Sequence, residues 1–242
     1  MNYSQIEFAS SSLTYHIQVD DLSGYCCARE NKMIYIIIGL IGAIVMFCGD
    51  MTLYYTPDDF DYESGKNQNV MQAVVDVMKK LPARRVAMGG MIGPVAAFLY
   101  CIGFFHVVVI TNDTWKSVAY VAFFLLCLGI ISGGAYHSHC AYLGLLGDEE
   151  YSDARDIVIK YFSKLALVMY VGEGVGFLLL LVLIITNNTI LPVWTFLLSP
   201  GILFLLKKPL RKLPKGIRVI VSGGWTNLIS VIYYIMVLIY TL

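Results

Sequence analysis

Six stretches of roughly 20 mostly apolar residues dominate this chain, and a helix of that length, rising 1.5 Å per residue, crosses the roughly 30 Å hydrocarbon core of a bilayer. Residues 33–55, 86–110, 118–143, 165–186, 190–206 and 217–242 are therefore predicted to span a membrane. The expected fold is all-α, a polytopic transmembrane bundle of about six helices, with residues 33–242 as one domain behind a polar extension, residues 1–32. A hydrophobic share of 58% and a mean hydropathy of +0.70 exclude an ordinary soluble domain, whose apolar share is about 45–50%. The fifth span is short and carries Ser199-Pro200-Gly201, which predicts a broken or kinked helix.

Basic residues resist translocation, so their distribution orients the bundle. All but three of the 17 Lys and Arg residues, the exceptions being Arg29, Lys32 and Lys116, fall on one side of the predicted membrane. That side is expected to be cytoplasmic, which puts both termini outside, and Asn2, Asn112 and Asn187 in their NxS/T patterns lie on the outer side. Residues 1–31 lack the basic start and apolar run of a secretory signal, so insertion is expected to rely on the later helices. The charges balance, 17 basic against 17 acidic, and no field favours nucleic acid. The lipid bilayer is the expected partner, with the basic loop Lys207–Arg218 as a contact for anionic headgroups. Met71, Val74, Val75, Met78 and Leu81 recur at helical spacing before Lys79, Lys80, Arg84 and Arg85, predicting a short amphipathic helix on the membrane surface. Asp58, Asp59, Asp61 and Glu63 read as a solvated loop. The six cysteines, among them the adjacent Cys26 and Cys27, show no CxxC pair and no disulfide framework.

An ionisable group in hydrocarbon costs about 2.5–3.5 kcal/mol on insertion scales, so such groups usually face the bundle interior and serve function. Asp50, His137, His139, Glu173 and the amide of Asn227 all fall in the cytoplasmic half, roughly 6–15 Å from the predicted inner helix ends. His106 falls near the outer end and reads as interfacial. Glycines 89, 90, 93, 133, 134, 172, 174, 223 and 224 share that inner half, where small residues let backbones approach closely. Asp50, His137, Glu173 and Asn227 are the candidate ligand or ion site, with His139, Cys140, Trp225 and Ser199 in support. His137 and His139 are two apart and do not share a helical face. A metal, if held, would take Asp50, His137 and Glu173, a donor set suited to zinc. Without a metal, the same residues can relay a proton as a ligand binds.

The helices also echo one another in order. Val45–Asp50 resembles Val168–Glu173, Ile92–Leu99 resembles Ile190–Leu197, and Ser132-Gly133-Gly134 resembles Ser222-Gly223-Gly224. Three helices per repeat would give inverted halves, as in many transporters. Asp50 near the end of its helix and Glu173 near the start of its own do not map by that symmetry.

The pattern Gly39-Leu40-Ile41-Gly42-Ala43 through Gly49-Asp50, with Tyr136-His137 and Gly223-Gly224-Trp225-Thr226-Asn227, resembles an uncharacterised family of bacterial multi-helix membrane proteins. That resemblance covers Met33 to the end and implies architecture and a bacterial plasma membrane, with no activity. The Asp and His content also resembles the alkaline ceramidase and progestin-receptor superfamily of zinc hydrolases, although the paired histidines of that family's last helix have no counterpart here. The leading expectation is a protein that binds, transports or senses a small molecule or ion in the inner half of the bundle. The alternatives are a membrane-embedded metal hydrolase acting on a lipid or peptide, and a non-catalytic interaction subunit.

Overall fold

A computed structural model describes residues 32–56, 70–210 and 212–242. The extension 1–31 with Asn2, Cys26, Cys27 and Arg29, the acidic run Asp58–Glu63, Lys66 and Arg211 lie outside the described residues. What is described is helical apart from short connections and one antiparallel bridge, Thr111 to Thr189.

Among the described residues five helical spans are long and apolar enough to cross a membrane. The first is α1 (Lys32–Tyr54). A short α2 (Val70–Lys79) follows, then α3 (Ala83–Phe104), which continues through Phe105 into α4 (His106–Ile110). A 3-10 turn at Asp113–Trp115 leads into α5 (Lys116–Leu145), and another at Glu149–Tyr151 into α6 (Ser152–Ile185). The last long helix is α9 (Lys215–Thr241). Large apolar side chains cover the outside of the bundle, with Met91 74%, Phe98 67% and Phe124 64% exposed. A surface of that kind suits lipid rather than water.

The fifth predicted span, residues 190–206, is not one continuous α-helix. It forms a 3-10 run at Val193–Leu198, a single turn α7 (Pro200–Leu203), a 3-10 turn at Phe204–Leu206 and a second short turn α8 (Lys207–Leu210). Two prolines explain the break. A residue preceding proline is pushed out of the α region, and Ser199, with φ −66° and ψ 145°, is extended before Pro200 at the first position of α7. The segment still makes the traverse of the missing helix. It starts where Ile190 N donates to Ile110 O at 3.0 Å, passes Trp194 against Tyr240, and ends with Lys207 on the cavity lined by Asp50. Irregular backbone at membrane depth is tolerated where protein or a cavity surrounds it.

Glycine contacts fix how the helices cross. A Cβ at Gly93 would sit 2.9 Å from Gly134 O, and one at Gly134 would sit 3.1 Å from Gly93 O. Backbones of α3 and α5 therefore touch where His137 leaves α5. Likewise a Cβ at Gly172 would lie 2.8 Å from Leu125 O, and one at Gly129 would lie 2.7 Å from Glu173 N, so α5 and α6 close together at Glu173. Gly174 has nothing within 4 Å and takes no part in such a crossing. Gly223 packs on Tyr54 and Gly39 on Tyr234, so α9 runs antiparallel to α1.

The amphipathic helix expected over residues 71–81 is present as α2, but its apolar face meets protein. Val74, Val75 and Met78 are each 1% exposed and pack with Leu53, Cys140, Leu143 and Phe162. A second, larger apolar cluster fills the other part of the bundle around Met46, Tyr100, Phe104, Leu126, Leu180 and Tyr233. Between the two lies a polar layer: Asp50 falls between Met46 and Leu53 on α1, and His137 between Leu126 and Cys140 on α5.

Two basic residues that read as topology markers also close helix ends. The Arg85 guanidinium donates to the carbonyls of Met51, Thr52 and Tyr55 at the end of α1, and Arg155 donates to those of Leu146, Gly147 and Asp148 after α5. The last carbonyls of a helix lack partners within it, and a cation there also meets the negative end of the helix dipole. α6 begins well before residue 165 because Ser152–Lys164 is helix-forming but too polar to register as a membrane span. Past its last residue Ile185 the chain turns at Asn187, whose φ of 56° is the left-handed conformation that asparagine tolerates, with Asn188 N donating back to Leu183 O.

Candidate functional site

α1, α3, α5 and α9 together hold a continuous run of hydrogen bonds. Tyr100 OH donates to Asn227 Oδ1 at 3.0 Å, Asn227 Nδ2 donates to Asp50 Oδ2 at 2.7 Å, and His137 Nε2 lies 3.0 Å from Asp50 Oδ1. All four side chains are buried, at 1%, 9%, 5% and 7% exposure in that order. Because Asp50 is acceptor-only as a carboxylate, the contact requires a proton on His137 Nε2. The other ring nitrogen, Nδ1, is buried without a hydrogen-bond partner.

A cavity of about 110 Å³ adjoins this run, lined among others by Asp50, His137, Tyr136, Met169, Glu173 and Asn227, with Lys207 also on its wall. That volume is several times the roughly 10–15 Å³ that one water requires. Glu173 reaches the cavity from α6, held there by the close crossing at Gly129 and Gly172. Two ionisable side chains with no role in the rest of the run thus face one cavity: His137, whose Nδ1 is buried without a hydrogen-bond partner, and Glu173.

Of the residues singled out in the sequence, Asp50, His137 and Asn227 are in direct contact, and Glu173 shares their cavity. The supporting residues lie elsewhere. His139 turns Nδ1 back to Ala135 O and packs against Tyr142 and Tyr161. Cys140 meets Tyr54 OH at 3.7 Å inside the apolar cluster under α2. Trp225 donates Nε1–H to Leu203 O and packs with Val221 and Ile229, so it clamps the broken segment. Ser199 is fully buried in that segment, with Oγ unpartnered.

Among the described residues no three His, Cys, Asp or Glu side chains are placed to hold a metal ion. Asp50, His137 and Glu173 thus do not converge as the zinc set would require, and both Asp50 oxygens already have protein partners. His106 is not interfacial. It is fully buried, with Nδ1 toward Gly103 O at 2.7 Å and Nε2 toward Tyr233 OH at 2.8 Å. Tyr233 and Tyr234 of α9 pack on its ring, with centroids 5.5 and 5.1 Å away.

Tyr100 and Lys207 were not among the sequence candidates. Tyrosines are frequent in this chain and nothing local marks Tyr100, but its depth on α3 matches that of Asn227 on α9. Lys207 was read only as part of a basic loop, and the collapse of residues 190–206 into short turns brings it to the cavity.

The model of a family of unknown function (DUF6796) matches residues 27–242. No curated protein and no solved structure matches the chain.

Proposed function

The chain belongs to that family of unknown function, and from the geometry of its polar layer we propose that it binds a small polar molecule or an ion in the cavity beside Asp50, His137, Glu173 and Asn227, in the service of transport or sensing. The observation that carries this reading is one cavity lined by both His137, whose Nδ1 is buried without a partner, and the acid Glu173. A buried polar group without a partner costs about 1–3 kcal/mol, and an occupant that donates to Glu173 and engages His137 removes that cost.

The cavity lies toward the end of the bundle that carries Arg85, Arg155 and Lys207. By the excess of Lys and Arg there, that end is cytoplasmic in a plasma membrane of bacterial type, and both termini are outside. The occupant therefore enters from the cytoplasm. Lys212 and Lys215, before and at the start of α9, lie at that same end, where anionic headgroups would be met.

The test is thermal unfolding of the purified protein with chloride salts of sodium, potassium, ammonium and magnesium at constant ionic strength, and with a panel of small polar metabolites. A ligand that binds only the folded state at a hundred times its Kd stabilises by about 2.7 kcal/mol. At least one compound should raise the midpoint of the native protein, with the rise lost in D50N and E173Q. No shift with any compound, or equal shifts in the variants, overturns the reading.

A further inference from the structure

On the other side of Glu173 lies a second cavity, about 400 Å³ and mostly apolar, between α6, the broken segment and α9. Its volume falls within the roughly 300–1,000 Å³ range of small-molecule pockets. Phe177, Leu181, Pro200, Ile202 and Ile229 form its walls, and it shares Tyr170, Glu173 and Thr226 with the polar cavity. Leu178 and Phe204 at its edge are 57% and 39% exposed on the lipid-facing surface, so an occupant reaches it sideways from the bilayer.

Three features narrow the occupant. Only apolar chain fits most of the lining. The interruption at Ser199-Pro200 places non-helical backbone beside the pocket, the arrangement by which discontinuous membrane helices form binding sites. Glu173 is an acid on the pocket wall about 18 Å along α6 from its far end, at hydrocarbon depth. The complement to a carboxylate in that setting is a cation carried into the membrane on an apolar tail. The geometry points to a lipid-facing site for a single-chain amphiphile with a primary amine head, the chain lying in the 400 Å³ groove and the ammonium on Glu173. This site shares Glu173 with the proposed polar site but uses neither Asp50 nor His137.

The probe is dodecylamine carrying a photoactivatable diazirine on its chain, with the protein in phosphatidylcholine vesicles and labelled peptides mapped by mass spectrometry. Label is expected on Phe177–Leu181 and Pro200–Phe204, displaced by excess dodecylamine but not by dodecanoate. Loss of a charge-assisted hydrogen bond, about 1.5–3 kcal/mol, weakens binding about tenfold or more in E173Q. Gly201→Trp fills the groove, where a Cβ meets only Phe177 at 3.6 Å, and should abolish the label. Leu181→Trp fills it from α6 should that variant fail to fold. D50N, which removes the proposed polar-cavity binding, should leave labelling unchanged, so the two readings fail separately. Label that excess amine does not displace is bilayer contact, and equal displacement by dodecanol and dodecanoate is an unselective acyl crevice. Either result, or an unaffected E173Q, overturns the inference.

Discussion

Asp50 Oδ1 stands 3.0 Å from His137 Nε2, joining α1 to α5 inside the bundle. The second oxygen of the same carboxylate accepts from Asn227 on α9 at 2.7 Å, so one side chain ties three helices. Interhelical hydrogen bonds in membranes average only about 0.6 kcal/mol. The larger consequence is what happens when one partner is changed and the others stay buried.

Asn227→Asp sets a second carboxylate against Asp50. A buried uncompensated charge costs about 3–5 kcal/mol, and N227D should lose stability on that scale. Exchanging the pair in D50N/N227D restores one acid and one amide and should recover most of the loss. A double-mutant cycle by thermal unfolding checks this; simple additivity of the two substitutions would show that the residues are not coupled.

Arg85→Gln removes the cation that closes the end of α1. A loss of about 1–2 kcal/mol is expected from the dipole and hydrogen-bond contributions, with R85K retaining part of it. Arg84 next to it is exposed and makes no such contact, so R84Q should change nothing. Equal midpoints for R85Q and R84Q would remove Arg85 from this role.

Gly93→Val drives two methyl groups into the Gly134 carbonyl and the His137 side chain. Overpacking of this kind costs about 1–3 kcal/mol, and here it also displaces His137 from Asp50. Gly174→Ala meets open space and should be neutral. Denaturation of both variants in the same detergent gives the comparison.

Much of this arrangement was legible in the chain because charges in apolar helices stand out. Asp50, His137 and Asn227 could be grouped by depth alone, since a helix rises by a fixed amount per residue. Ser199-Pro200-Gly201 signalled the break in the fifth span, yet its consequence, Lys207 brought to the cavity, depends on how short turns pack. Depth misplaced His106, because distance from a helix end does not reveal that Tyr233 and Tyr234 of α9 enclose its ring. Composition fixed that α2 has an apolar face but not that the bundle, rather than lipid, covers it. The first half of α6 escaped a hydropathy reading since polar helices carry no membrane signal.

Orientation has its own test. With native cysteines replaced, a cysteine at Thr114 should react with a membrane-impermeant maleimide on intact cells, and one at Lys212 only after permeabilisation. The reverse pattern would invert the bundle and move the proposed cavity to the outer face.

The central claim, that the cavity beside Asp50 and His137 is a ligand site, is tested most directly by a high-resolution density map of the protein purified gently from its native membrane. Non-protein density within hydrogen-bond distance of Glu173 and His137, and absent from the map of E173Q, is the result expected. An empty cavity with Asp50 and His137 still paired, or density that persists unchanged in E173Q, would contradict it.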